Sequence, residues 1–302
     1  MLLKTQPPLP GFEWLPSTHI YSHLHETLWP QHPEQQPSMH ESLFEPPTLL
    51  SRLLECSPMW DEELSDMVVD EQDEDGEPVK AAPDETPVRY IPLNAANKAF
   101  AEMPRFTNDC MRWGDQATFV VRKDYKKLLN HALERLRAGE RPRIFIYDME
   151  SSLCSYYILF VLLAAGHSVF LLDGPGHVYF FSQHGVQCGP EHFDALHDAT
   201  NAALKQSWAL VDMDVPCDFS AKRYLQKTQC VVATDPGRQL RQASTFRWAL
   251  EGETWDLANW TSRELLVLGQ PYGVDRAELV RRVTAEQGQK TPQRLFDSKR
   301  KE

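Results

Sequence analysis

The sequence lacks any apolar stretch long enough to cross a membrane, and its longest apolar run covers only residues 156–165. A membrane-spanning helix needs about 18 or more such residues, so none is predicted. The amino terminus also lacks a basic start followed by an apolar stretch, so no signal peptide is predicted. Cysteine is scarce, and the six cysteines show no CxxC spacing. That pattern is typical of reduced thiols and favours an intracellular protein, cytoplasmic or nuclear.

Basic residues are nearly absent from the first 87 positions. Only three of the 31 Lys and Arg residues lie there, against 18 of the 43 acidic residues and 13 of the 22 prolines. This region therefore carries a net charge of −15, whereas residues 88–302 carry +3 and show no charge excess typical of a nucleic-acid groove. The prolines, together with ten acids in the seventeen positions 61–77, predict a disordered, acidic, Pro-rich arm over residues 1–87.

Two short stretches of this arm, residues 42–56 and 59–69, place apolar side chains among the acids. Acidic-hydrophobic segments of this kind often fold on a partner protein. The alternative is a passive solubilising tail. We therefore expect a protein partner bound through the arm, and neither nucleic acid nor a membrane.

Residues 88–302 alternate between helical and strand patterns. The sequence predicts strands at 143–147, 167–174, 177–182, 208–212, 228–235 and, at a sheet edge, 244–250. Helices are predicted at 119–139, 152–166, 191–206, 261–269 and 275–287. This order predicts an α/β domain over residues 88–302, with a mostly parallel sheet and helices on both faces. Ligands in such sheets bind beyond the carboxyl ends of the strands.

Several of these segments resemble, in order, a known family. They are RIFIYDMESSLCSYYILFVLLAAG (143–166), HVYFFSQHGV (177–186), WALVDMDVP (208–216), NWTSREL (259–265) and TPQRLF (291–296). The sequence resembles the P-loop NTPase domain of the Crinkler-type and retrotransposon-hot-spot proteins of fungi, oomycetes and trypanosomes. The resemblance implies a P-loop NTPase-like fold whose phosphate loop lies at residues 148–155.

That loop departs from the family's Walker A pattern, G-x-x-G-x-G-K-[ST], because it reads DMESSLCS. Its glycines are missing, although they let backbone N–H groups surround a phosphate. Cys154 stands where the resemblance places the lysine, and Ser155 alone is retained, at the position of the magnesium-binding hydroxyl. The resemblance further implies that Asp212 is the Walker B carboxylate and that Arg294 is a late arginine contacting phosphate.

We therefore expect a catalytically silent NTPase-like module, more an interaction or regulatory protein than an enzyme, with no cofactor. Asp148 and Glu150 strengthen this expectation, because their charges repel an anionic ligand. One alternative is an active ATPase that binds Mg-ATP through a divergent loop. Another is a regulatory fragment that acts through a full-length relative.

The sequence also raises two kinds of cysteine chemistry, a nucleophile elbow and a cysteine-phosphatase loop. Cys154 lies near the start of a predicted helix, where a thiol pKa is lowered, but a nucleophile elbow also needs flanking glycines, and these are missing. Residues 217–223 match the C-x5-R spacing of cysteine phosphatases, but they lack the glycine and the preceding histidine of that loop. Both remain weaker interpretations of the sequence.

Overall fold

A computed structural model gives the fold of the chain. It describes residues 7–30, 55–56, 71–72, 78–79, 89–93, 117–147, 151–172, 176–190, 193–194, 196–212, 225–235, 252–257 and 264. The chain divides into two compact units. Unit 1 contains Met1–Ser51 and Lys123–Leu257, and unit 2 contains Arg52–Arg122 and Ala258–Glu302.

Unit 1 is built on an eight-stranded sheet. Its strands are β1 (Glu13–Trp14), β7 (Arg143–Tyr147), β8 (Val169–Leu172), β9 (His177–Ser182), β10 (Gly185–Pro190), β11 (Trp208–Asp212), β12 (Cys230–Asp235) and β13 (Glu253–Asp256). They lie in the order β1-β10-β9-β8-β11-β12-β7-β13. The ladder from β8 to β13 is parallel, and β8, β9, β10 and β1 pair antiparallel. The predicted mostly parallel α/β sheet is therefore confirmed.

Helices cover both faces of this sheet. They are α1 (Ile20–Leu28), α2 (Lys123–Arg137), α3 (Ser151–Ala164) and α4 (Asp198–Lys205). Helix α3 packs on β8, β11 and β12, and α1 and α2 pack against α3. On the other face, Leu204 of α4 joins a buried cluster with alternate residues of the strands, among them Phe145 and Val211. Since side chains alternate across a strand, the two groups of helices lie on opposite faces.

The described residues of α3 are buried from Leu153 to Ala164 on every side. A helix that is apolar all round needs cover all round, and the sheet, α1 and α2 supply it. Both α2 and α3 are followed by a glycine with positive φ, Gly139 at +80° and Gly166 at +73°, as the glycine stops in the sequence predict.

Residues 7–30, here called the β1–α1 segment, contradict the prediction that residues 1–87 are disordered. Strand β1 pairs with the outer edge of β10. Phe12, Tyr21, Leu24 and Leu28 are each no more than 4% exposed. The prolines at 7, 8, 10 and 16 all precede or separate β1 and α1, so they interrupt neither element. Apart from the short strands of unit 2, the rest of the predicted arm lies outside the described residues.

Other elements also differ from the sequence-based prediction. The helix predicted over 191–206 covers only Asp198–Lys205 and begins after a cap at His197. The helix predicted over 119–139 begins only at Lys123, because Phe119–Val121 belong to a strand, β6 (Ala117–Val121). Pairing with β5 (Arg89–Leu93) decides this, since β-branched and aromatic residues suit a strand once a partner is present. Strand β10 was not predicted, because Gly185, Gly189 and Pro190 are poor strand formers. The predicted strand 244–250 and the helices beyond 260, except Glu264, lie outside the described residues.

Unit 2 contains a three-stranded antiparallel sheet in the order β2 (Glu55–Cys56), β5, β6. A second pair joins β3 (Glu71–Gln72) to β4 (Pro78–Val79). Arg122, which follows β6, is buried and places its Nε 3.5 Å from a carboxylate oxygen of the buried Glu264. Within the described parts of both units, no helix has the length and apolar character to span a membrane.

Candidate nucleotide site at the carboxyl edge of the sheet

The carboxyl ends of four neighbouring parallel strands lie side by side in unit 1. Asp212, which ends β11, is opposite Thr234 of β12. Tyr147, which ends β7, lies between Asp235 of β12 and Asp256 of β13. Three of these strands therefore end in an aspartate. The sequence continues with a further aspartate after each of the other two parallel strands, β7 and β8.

The direction of the chain changes at this edge, between β7 and β12. From β7 the chain passes through α3 to β8, which lies three positions away in the sheet, and it then returns through β11 to β12. Helix α3 connects β7 to β8, and helix α4 precedes β11 on the return path. The two helices pack on opposite faces of the sheet. Ligands of doubly wound sheets bind where the direction reverses. The end of β7 is therefore the place in this fold where a bound ligand is expected.

The connection from β7 to α3 is short. Only three residues, at positions 148–150, separate Tyr147 from the helix start at Ser151. A Walker A motif places six residues from its first glycine to the glycine before its lysine, and its helix begins near that lysine. Here the helix has already begun before the lysine position is reached. Little backbone is left to surround a phosphate.

Cys154 and Ser155, which the resemblance matches to the lysine and the hydroxyl of a Walker A motif, lie inside the helix and inside the core. Cys154 is 0% exposed and Ser155 is 7% exposed. The side chain of a lysine at position 154 would therefore begin in the core, among apolar side chains. The same burial removes Cys154 as a nucleophile, since a reactive thiol needs access to its substrate. The Ser155 hydroxyl has no hydrogen-bond partner among the described residues.

The other sequence-predicted positions are placed only in part. Asp212 ends β11 at the same edge of the sheet as the β7–α3 connection, as the sequence predicts. Arg294 and the C-x5-R segment at 217–223 lie outside the described residues. Asp256 was missed, because β13 was not predicted. The strand could have been predicted from the alternation of side-chain character in ETWD, which follows Gly252.

The described groups with the clearest pKa shifts lie away from this edge. Burial lowers the pKa of Arg143, at the amino end of β7, where the guanidinium donates to the carbonyls of Pro142, Gln226 and Thr228. Burial also raises the pKa of the Cys230 thiol, at the amino end of β12. Catalytic sites tend to collect such shifted groups. These two stabilise the start of the sheet instead.

Metal ligands give no further indication, since the described side chains contain no group of three or more that could hold a metal ion. Cys188 Sγ and His177 Nδ1 come within 3.9 Å of each other on β10 and β9. Two ligands fall short of the three or four protein ligands of a zinc site.

Comparison with protein families, with curated proteins and with solved structures finds no significant match to this chain.

Proposed function

We propose that this chain is a catalytically silent, P-loop NTPase-like module that acts by binding other proteins. The observation that carries the proposal is the β7–α3 connection. It leaves three residues for a phosphate loop and puts the lysine position, Cys154, in the core. Aspartates at the ends of β11, β12 and β13 add negative charge to the same edge. Charges of one sign repel a phosphate ligand.

The strand order is compatible with the P-loop likeness. Numbered along the chain and counted from β13, the five parallel strands run 5-1-4-3-2. The chain direction therefore reverses beside β7, and ligands of doubly wound sheets bind at such a point. The residues that resemble a phosphate loop, 148–155, follow β7. The Crinkler-type and retrotransposon-hot-spot resemblance rests on the motifs of the sequence and remains part of the proposal.

The activity is proposed to lie in protein binding through the acidic-hydrophobic stretches at 42–56 and 59–69. Apart from β2 (Glu55–Cys56), these stretches lie outside the described residues. An intracellular location fits the thiols, because Cys154, Cys188 and Cys230 are free. We expect replacement of Leu53 and Trp60 by alanine to abolish capture of the partner in cells. Replacement of two acidic residues of the same stretches, Glu55 and Asp61, is the matched control. Equal capture by both variants would exclude these stretches as the binding site.

Nucleotide binding is tested by thermal unfolding with Mg-ATP. A ligand at 100 times its dissociation constant stabilises the native state by about 2.7 kcal/mol, which shifts the melting temperature by several degrees. We expect no shift at millimolar Mg-ATP and no ATP turnover above a buffer blank. A shift that is lost in Asp212→Asn would favour the active ATPase.

One observation does favour that second candidate. The Ser155 hydroxyl is buried without a described partner, and it lies on the helix that follows β7. Cys154→Lys separates the two functions. An active divergent loop gains ATP affinity from the added cation. In the silent module the ammonium is buried without a partner, so the protein is destabilised and gains no affinity.

A further inference from the structure

Helix α1 covers an aromatic face of the β9–β10 hairpin. Tyr21 is 1% exposed, and its ring meets Tyr179 edge-on at 4.6 Å and Phe181 at 5.7 Å. Leu24 and Leu28, which lie one and two turns further along the same face of the helix, are fully buried. Tyr179 and Phe181 share one face of the hairpin, because side chains alternate along a strand. The helix therefore shields this face from water.

Strand β1, which precedes α1, is held separately. Phe12 fills a groove beside Phe170 and Phe193, with ring centroids 6.4 and 5.1 Å away, and Gly189 leaves the space for its ring. These rings belong to the buried cluster on the α4 face of the sheet, whereas α1 packs against α3 on the other face. The chain passes from one face to the other in the turn before His19. Helix α1 can therefore leave its place while β1 keeps its own.

The first of two histidines in α1 contacts is the cap of the helix. His19 Nδ1 accepts a hydrogen bond from the Tyr21 amide at 3.2 Å, so this nitrogen carries no proton. Protonation would remove the acceptor, and it would add a positive charge at the end of the helix where the backbone dipole disfavours one. Burial acts in the same direction and lowers the pKa of His19. The cap is therefore made only by the neutral ring.

The second histidine lies on the buried face of α1. His25 Nε2 donates to the Ser182 carbonyl at 2.7 Å, and the ring stacks on Trp29 with centroids 4.8 Å apart. A second proton, on Nδ1, would place a positive charge in a contact that is only 5% exposed. Burial accordingly lowers the pKa of His25 to about 4, against the opposing effect of the Ser182 hydrogen bond.

The groups around α1 do not offset such a charge. Helix α3, which packs against α1, contains no Asp, Glu, His, Lys or Arg, and its titratable side chains are neutral near pH 7: Cys154, Tyr156 and Tyr157. The titratable groups on the other described neighbours are Glu13 on β1, His177 and Tyr179 on β9, His184 in the turn, Cys188 on β10, and the exposed His23 and Glu26 of α1 itself. None of these groups is among the causes of the pKa shifts of His19 and His25.

We propose that α1 is an acid-sensitive cover for the aromatic face of the β9–β10 hairpin, which opens when His19 and His25 bind protons. Above pH 6.5 neutral imidazole is the main form even in the open state, so the cap is made and the helix stays docked. As the pH falls below 6.5, the open helix binds protons that the docked helix excludes, and the equilibrium moves toward opening. For His25, with a pKa of about 4 when docked and 6.5 when open, the opening equilibrium constant rises about 30-fold between pH 7.5 and pH 5.

Hydrogen exchange of the full-length protein, followed by mass spectrometry and corrected for the intrinsic exchange rate at each pH, measures this opening. Amides of β12, which has a strand on each side, report unfolding of the whole unit. We expect the amides of α1 to be less protected than those of β12 at both pH 7.5 and pH 5. Their protection should fall about 30-fold or more on acidification. His23→Gln should leave this fall unchanged, because His23 is exposed on the same helix.

The two histidines are tested by variants that keep the hydrogen bond and lose the titration. His25→Gln keeps a side-chain N–H donor and should remove most of the fall in protection. His19→Asn keeps an acceptor that caps helices well and should remove a smaller part. His19 is only partly buried, so this variant provides the test even if His25→Gln does not fold. The double variant should show little change in α1 between the two pH values.

Two results would overturn the proposal. Equal protection of the α1 and β12 amides would show that α1 leaves its place only when the whole unit unfolds. A fall in protection that is as large in the double variant as in the wild type would show that other groups sense the acid.

Discussion

Acidification should weaken the attachment of α1 through His25. Its ring stacks on Trp29 with centroids 4.8 Å apart and is 5% exposed. Burial lowers the pKa of His25 from 6.5 to about 4, although the hydrogen bond to Ser182 opposes the shift. A proton therefore binds the unfolded chain more readily than the folded one. The stability linked to this group is present above pH 6.5 and is lost as the pH falls from 6.5 toward 4.

The size of the effect follows from the two pKa values. One pKa unit corresponds to about 1.4 kcal/mol, so the full shift is worth about 3 kcal/mol, of which about 2 kcal/mol is lost by pH 5. His25→Gln keeps a side-chain N–H donor and removes the titration. The free energy of unfolding should therefore fall less in His25→Gln than in the wild type between pH 7.5 and pH 5, by about 2 kcal/mol.

Urea unfolding at several pH values, followed by tryptophan fluorescence, measures this difference. Burial lowers the pKa of His167 as well, so His25→Gln should keep part of the acid sensitivity. His23→Gln is the matched control, because His23 is exposed on the same helix. Identical pH dependence in the wild type and His25→Gln would refute the buried, neutral state of His25 and the docking that creates it.

Three further substitutions test the packing. Phe12→Ala should lower the free energy of unfolding of unit 1 by about 3–5 kcal/mol in chemical denaturation. Leu196→Ala is the control and should change it little, because its side chain is 78% exposed. Equal effects of the two substitutions would contradict the burial of the β1–α1 segment. Glu264→Gln removes the charge facing Arg122 and should lower the free energy of unfolding of unit 2 by about 3 kcal/mol in the same assay. A loss below about 0.5 kcal/mol would show that the ion pair is exposed to solvent. Gly252→Ala brings a Cβ against the Phe145 ring and should lower the free energy of unfolding by about 1–3 kcal/mol, and the melting temperature with it. An unchanged melting temperature would contradict the close approach of β13 to β7.

The sequence predicted several strands of the sheet well. The runs at 143–147, 177–182 and 208–212 appear with the predicted bounds, because continuous apolar residues bounded by turns have few other structures open to them. The same patterns placed Asp212 at the correct edge. These successes depend on local composition, and the elements that failed depend on partners distant in sequence.

Phe12 and Phe119 show why the rest was missed. Phe12 stands among prolines and has no helical or strand pattern around it, so only the space left by Gly189 explains its burial. Phe119 continues an amphipathic pattern into α2, and only the pairing with Ile91 assigns it to a strand. The helix after β7 was predicted closely, since it begins at Ser151 rather than at residue 152. The complete burial of Cys154 depends on the packing of α3 against three strands, which the loop sequence alone does not show.

The distance in sequence between the β1–α1 segment and its groove has a consequence for synthesis. Glu13 leaves the ribosome about 175 residues before its partner Cys188, which takes on the order of 10–35 s at ordinary elongation rates. Throughout that time Phe12, Tyr21, Leu24 and Leu28 have no groove to enter, and they expose apolar surface on the nascent chain. We expect a ribosome-associated chaperone to hold this short segment before the strongly apolar α3 has been made. An element that is made early is thus completed late.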